Sequence, residues 1–156
     1  MTNIDIAVVD YGMGNLRSVS KALEHVAPNK RVIVTNDPAK ITNAARIVFP
    51  GQGAMPDCIR ELDARDLREV VVKSAYEKPF LGICIGLQLL FEQSEEGNAK
   101  GLGVFPGMVK RFAAHLADNA GNKLKVPHMG WSRVMQKVPH DLWQDIPDGE
   151  RFYYVH

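Results

Sequence analysis

The sequence predicts an α/β fold: an open, mostly parallel sheet with helices on both faces. Three observations predict it. Short apolar runs alternate with helical patterns in the order β-α-β-α-β-α-β-α. Glycine-containing loops follow three of those runs, where open parallel sheets build their sites. One run passes through Gly82-Ile83-Cys84-Ile85-Gly86 straight into a helical pattern, a strand-to-helix elbow.

Ile4 to Val9 reads as the first strand, ended by Asp10-Tyr11-Gly12. A helix follows from about Asn15, with Leu16, Val19, Leu23 and Val26 on one face. Arg31 to Thr35 is a second strand, and Asn36-Asp37-Pro38 starts a short helix at Pro38. Arg46 to Phe49 is a third strand, ending in the loop Pro50-Gly51-Gln52-Gly53-Ala54. Pro56 or Asp57 opens a helix toward Leu62, and a second helical pattern runs from Asp66 to Ala75. Phe80 to Cys84 is the elbow strand, bounded by Pro79. Leu87, Leu90 and Phe91 recur at helical spacing after it, with Glu92, Gln93, Glu95 and Glu96 carrying that helix to solvent. Beyond Gly97 the pattern predicts short β pieces at Met108 to Phe112, Ser132 to Met135 and Glu150 to His156, with no linker that would divide the chain. The 156 residues therefore read as one domain, long enough to bury a core.

Composition excludes several classes. The chain is 46% hydrophobic and 24% charged, with formal net charge +1 and no basic cluster, which disfavours nucleic acid as a partner. Two cysteines are too few for a disulfide framework and suit a reducing compartment. No signal peptide and no membrane-spanning apolar stretch is present, so the cytoplasm is the expected location.

The elbow carries the chemistry. A lone thiol in an apolar run is more often a packed core residue. Here Gly82 and Gly86 flank Cys84 at a turn where a Cβ on either would clash, and that frame makes Cys84 a candidate nucleophile. A helix N-terminus favours thiolate over a thiol of pKa about 8.5. The Ile85 N–H would supply half of an oxyanion hole. Cys58 has no such frame and reads as a core residue on a helix face.

Other segments leave two readings open. Gly51-Gln52-Gly53 is either a plain turn or the second half of the oxyanion hole. Asn15 either caps its helix or, with Arg17, lines a contact surface. Gly12-x-Gly14 lacks the third glycine of a dinucleotide fingerprint, because that position is Arg17. Among the histidines, His25, His115, His128, His140 and His156, no pair has metal-ligand spacing, so neither metal nor cofactor is expected.

Taken together, Asp10 to Val19, Pro50 to Ala54, the elbow, Pro127-His128-Met129-Gly130-Trp131 and Phe152 to His156 resemble the class I (triad-type) glutamine amidotransferases. They fall in the order seen in the glutaminase subunits of imidazole glycerol phosphate synthase. The resemblance covers the whole chain and implies a flavodoxin-like sheet. It implies that Cys84 attacks the side-chain amide of glutamine, that Gly51, Gln52, Gly53 and Ile85 stabilise the oxyanion, and that Gln88 helps hold the substrate. It implies a (β/α)8-barrel cyclase as heterodimeric partner, which takes up the ammonia in histidine biosynthesis. Asn15, Arg17, His128, Met129 and Trp131 would lie near that interface.

Two departures qualify it. The elbow has Ile85 and Leu87 where the class has leucine and methionine, changes that keep apolar volume. The class also carries a catalytic His-x-Glu pair, and none occurs in this sequence. The reading is therefore of residues 1–156 as a single amidotransferase domain with its C-terminal part missing, and hence of poor glutamine hydrolysis by this polypeptide. The competing readings are a glutaminase serving another acceptor such as chorismate, a thiol peptidase on the same fold, and a non-catalytic binding module.

Overall fold

The computed structural model describes residues 3–117 and 121–155, so His156 lies outside the described residues. The chain forms two compact units, Met1–Arg111 and Phe112–His156.

The first unit is built on a four-stranded parallel sheet of β1 (Ile6–Val9), β2 (Val32–Thr35), β3 (Arg46–Gly51) and β4 (Phe80–Cys84), in the order β2-β1-β3-β4. The connections are α1 (Leu16–Val26), α2 (Pro38–Asn43), and the pair α3 (Met55–Ala64) and α4 (Arg68–Glu77). Period-2 alternation divides the strands between two cores. Ile6, Val8 and Val48 face Leu16, Val19 and Leu23 of α1. Ala7, Val9, Ile47 and Phe49 face the other way, onto Ile41 of α2, Met55, Cys58 and Leu62 of α3, and Val71 of α4. The alternating sheet with helices on both faces is as the sequence predicts.

Local chemistry explains the helix ends. Asp37 caps α2 from its N-cap position, accepting from Ala39 N–H at 2.9 Å ahead of Pro38. At the other end of α2, the Lys78 ammonium donates to the carbonyls of Thr42 (2.6 Å) and Ala44 (3.0 Å). Ala54 offers α3 no side-chain cap, and the Glu96 carboxylate takes that role, accepting from Met55 N–H at 3.0 Å.

The elbow helix differs from expectation. The periodicity predicts a helix running to Glu96, whereas α5 (Ile85–Gln88) is a single turn and Phe91–Ser94 is β5. β5 pairs antiparallel with β6 (Ala99–Lys100) and parallel with β7 (Phe105–Val109). The carbonyls of Leu89 and Leu90, which a longer helix would use internally, accept instead from Leu102 N–H (2.8 Å) and Phe105 N–H (2.9 Å). Distant amides thus end the helix, and Phe91 finds its partner in Phe105, ring centroids 5.9 Å apart. β7 also begins earlier than the predicted Met108.

The second unit holds one antiparallel hairpin, β8 (Met129–Arg133) with β9 (Arg151–Val155). The first of these begins before the predicted Ser132. None of the described residues of this unit is buried. No helix among the described residues is long and apolar enough to cross a membrane.

Candidate active site

Cys84 closes β4 with φ 56° and ψ −121°, a backbone state that a residue with a Cβ adopts only under strain of about 1–3 kcal/mol. The neighbours hold it there. A Cβ on Gly82 would lie 2.7 Å from Leu87 Cα, and one on Gly86 would overlap the Phe49 carbonyl oxygen. The two glycines therefore let α5 fold back against β3 and β4 immediately after the thiol. Cys84 is exposed, as an attacking group must be, while Cys58 is fully buried on α3. Because α5 is one turn long, an argument from a long helix dipole does not apply; what faces the thiol's surroundings is the N–H groups of that first turn, which lack intrahelical partners. Ile85 supplies the first of them.

The loop after β3 lies alongside. Gly51 is directly opposite Cys84 in the parallel register. A Cβ on Gly51 would come within 2.7 Å of both Gly86 N and the Tyr11 hydroxyl oxygen, and 2.9 Å of Ile85 Cβ, so only glycine permits this approach. Gly53 has φ +104° and continues the loop. The structure thus brings Gly51 and Ile85 beside Cys84, and Gln52 and Gly53 continue the loop from there toward Cys58 and Met13. Gln88, half-buried, ends the same turn. The loop after β1 is packed against this one: a Cβ on Gly14 would lie 3.5 Å from Gly51 N, and one on Gly53 would lie 3.1 Å from the Met13 methyl. Asp10 shapes that outer loop by accepting from Gly12 N–H at 3.0 Å.

Asn15 caps α1, its side chain accepting from Ser18 N–H at 3.3 Å. Arg17, in the first turn of α1, is exposed.

In the second unit the register puts Met129, Trp131, Tyr153 and Val155 on one face of the hairpin. All four are exposed, Trp131 at 64%, and the rings of Trp131 and Tyr153 meet edge-on at 5.5 Å. The His128 ring is not with them. It stacks on Tyr154 at 5.3 Å, the other face of the ladder, and its Nε2 is 3.1 Å from Ser132 Oγ. A groove of about 720 Å³ beside it is lined by Phe112, Leu116, Leu124, Val126 and His128 among others.

Two residues near the thiol escaped sequence reasoning. Tyr11 is fully buried beneath Gly51, and Cys58 Sγ donates to the Gln52 carbonyl oxygen at 3.5 Å. Nothing in the sequence marks either contact: the first joins the end of β1 to the loop after β3, and the second, local in the chain, depends on how that loop turns into α3.

Residues 7–156 match the family described as glutamine amidotransferase class-I. The imidazole glycerol phosphate synthase subunit HisH of Aromatoleum aromaticum is 67% identical over 153 residues, covering 97% of this chain and 72% of that one. The subunit of the same name from Thiobacillus denitrificans is 63% identical, covering 99% of this chain and 68% of that protein. That from Neisseria gonorrhoeae is 50% identical, covering 96% and 73%. A solved structure described as a crystal structure of glutamine amidotransferase superposes with TM-score 0.56 at 20% identity, covering 69% of this chain and 57% of that one, a likeness of fold.

Proposed function

Since this chain belongs to the class-I glutamine amidotransferases, in the group of imidazole glycerol phosphate synthase HisH subunits, we propose that Cys84 is the nucleophile of a glutaminase step in histidine biosynthesis. The thiolate attacks the side-chain amide carbon of glutamine. The carbonyl oxygen becomes an oxyanion, met by the Ile85 N–H and by backbone N–H groups of Gly51, Gln52 and Gly53. Collapse of the tetrahedral intermediate breaks the C–N bond, ammonia leaves with the proton that the Cys84 thiol gave up on becoming a thiolate, and a glutamyl thioester remains on Cys84. Water then attacks the thioester, releasing glutamate and returning the thiol. Gln88 contributes to holding glutamine. The observation that carries this reading is the exposed Cys84 at positive φ, locked between two glycines with the Gly51 loop directly across from it.

The ammonia goes to a cyclase subunit of (β/α)8-barrel fold, which forms imidazole glycerol phosphate and an aminoimidazole carboxamide ribotide. Asn15, Arg17, His128, Met129 and Trp131 belong to the partner-facing surface, and both units form a single amidotransferase domain working in the cytoplasm. The triad of this class needs a His-x-Glu pair, and the 156 residues contain none. Cys84 is expected to react with glutamine-like electrophiles.

The test is covalent labelling. A glutamine analogue with an electrophilic diazoketone in place of the amide should alkylate Cys84, free glutamine should protect it, and Cys84→Ala should abolish the adduct in peptide mass mapping. Labelling that glutamine does not slow would argue for a different substrate.

A further inference from the structure

Directly beneath the loop opposite Cys84 lies a buried pair of weakly acidic groups that the mechanism above does not use. Tyr11 comes from the end of β1 and is fully buried, its ring against Phe49 at a centroid distance of 5.1 Å. Its hydroxyl has no partner in good hydrogen-bond geometry among the described residues, and its acidic neighbour is the Cys58 thiol, close enough for each to bear on the other's protonation. It is aimed at the underside of Gly51, as the 2.7 Å approach to a Cβ built there records. Cys58, also fully buried, stands on α3 and donates its thiol hydrogen to the Gln52 carbonyl oxygen at 3.5 Å. Burial pushes the phenol and the thiol up, so both keep their hydrogens and both are donors.

Peptide geometry converts these contacts into a statement about the loop. In a trans peptide the C=O and N–H point in opposite directions. With the Gln52 carbonyl held inward by Cys58, the Gly53 N–H of the same peptide faces the other way. The preceding peptide obeys the same rule: for the Gln52 N–H to face an oxyanion at Cys84, the Gly51 carbonyl must turn toward the interior. The donor standing there is the Tyr11 hydroxyl, whose other polar neighbour is the Cys58 thiol. A buried hydroxyl without a partner is uncommon, and one set under a glycine-flanked peptide has a partner within reach.

Resting on the reading of Gly51 to Gly53 as an oxyanion loop, we infer that Cys58 and Tyr11 are positioning residues for it. Cys58 holds the Gln52–Gly53 peptide, and Tyr11 receives the Gly51 carbonyl when the site is occupied. Neither touches the substrate. Both act through the backbone that does.

Two reagents separate positioning from general damage. Iodoacetamide alkylates an accessible thiolate without needing an oxyanion hole, whereas the diazoketone analogue of glutamine needs the substrate seated and its carbonyl polarised. Rates for both at Cys84 are measured in the unsubstituted chain and in Tyr11→Phe, Cys58→Ala and Cys58→Ser. Tyr11→Phe and Cys58→Ala should each slow analogue labelling by about tenfold or more while leaving the iodoacetamide rate unchanged, since small misplacements at a reacting centre carry penalties of that order. Cys58→Ser, which keeps a donor, should recover most of the analogue rate. If either variant labels within about twofold of the unsubstituted chain, or if both reagents slow together, the inference is overturned. Absence of analogue labelling in the unsubstituted chain overturns the glutaminase reading and this inference with it; labelling there that the substitutions leave untouched overturns this inference alone.

Discussion

A hydrogen on the Cα of Gly86 leaves room for the Phe49 carbonyl oxygen, and a methyl in its place would overlap that oxygen. The obstacle is backbone in a buried strand, so no side chain can swing aside to relieve it. Gly86→Ala should therefore lower the unfolding free energy by about 3 kcal/mol or more, at the high end of what overpacking costs. Gly103 is the contrast. It has positive φ (+67°), which Gly86 does not, but a Cβ there meets nothing within 4 Å, so Gly103→Ala should cost only the backbone term of about 1–2 kcal/mol. Urea denaturation of both variants measures the difference. A cost at Gly86 no larger than at Gly103 would mean that the close approach of α5 to β3 relaxes when a methyl is added. The residue scale is where the sequence was most informative: Gly82, Cys84 and Gly86 alternate within one short segment, and their constraint is local. Tyr11 and Cys58 were not legible, because the peptide they face is brought to them only when β1, β3 and α3 have packed.

The same distinction governs the elements. The four strands of the parallel sheet and the first four helices are legible because each buries its own apolar pattern: Val8 and Val9 on opposite faces of β1, Leu16, Val19 and Leu23 along α1. The helix expected after Cys84 was not, because the amides of Leu102 and Phe105 reach the Leu89 and Leu90 carbonyls from beyond a turn that no local periodicity reports. Between α3 and α4 the connection is charged, and its pH dependence follows. Arg68 donates from Nε to Asp63 Oδ1 at 2.7 Å and from a terminal nitrogen to Oδ2 at 2.9 Å, a forked pair across the turn. The hydrogen bonds from Arg68 hold the Asp63 carboxyl below the usual carboxylate range. A group whose folded pKa is depressed stabilises the fold above its unfolded pKa, about 4, and that contribution is lost as pH falls through the folded value. Both side chains are more than a third exposed (39% and 45%), so the pair is screened and amounts to at most about 1 kcal/mol at neutral pH. Asp63→Asn should lower the melting temperature at pH 7 and narrow its gap to the unsubstituted chain as pH falls below about 4. A gap that stays constant to pH 2 would show that the ion pair is not its source. Asp37, depressed chiefly by the Ala39 N–H at the start of α2, adds the same sign of dependence in both chains and so cancels from the comparison.

At the scale of the whole molecule the two units are made differently. Met1–Arg111 has a buried core on both faces of its sheet. Phe112–His156 has none among its described residues, and its hairpin rests on ladder hydrogen bonds and ring contacts, a marginal arrangement in water. Such a surface is costly to leave exposed unless something binds it: Met129, Trp131, Tyr153 and Val155 form one apolar face, at 61%, 64%, 54% and 60% exposure. The proposed interface residues therefore divide. Trp131 is largely exposed on that face, its ring edge-on to Tyr153, with the size and amphipathic ring typical of residues that dominate binding energy. His128 instead supports the opposite face through Tyr154 and Ser132. Trp131→Ala should weaken association with the cyclase subunit by about tenfold or more, while costing the hairpin no more than its edge-on contact to Tyr153, about 0.5–1.5 kcal/mol. His128→Ala should do the reverse, loosening the hairpin first and affecting affinity only through it. Titration calorimetry against the cyclase, paired with thermal melts of each free variant, distinguishes the two roles. Unchanged affinity in Trp131→Ala would remove the hairpin face from the interface, and a sharper loss in His128→Ala with no change in melting would move the contact to the groove side.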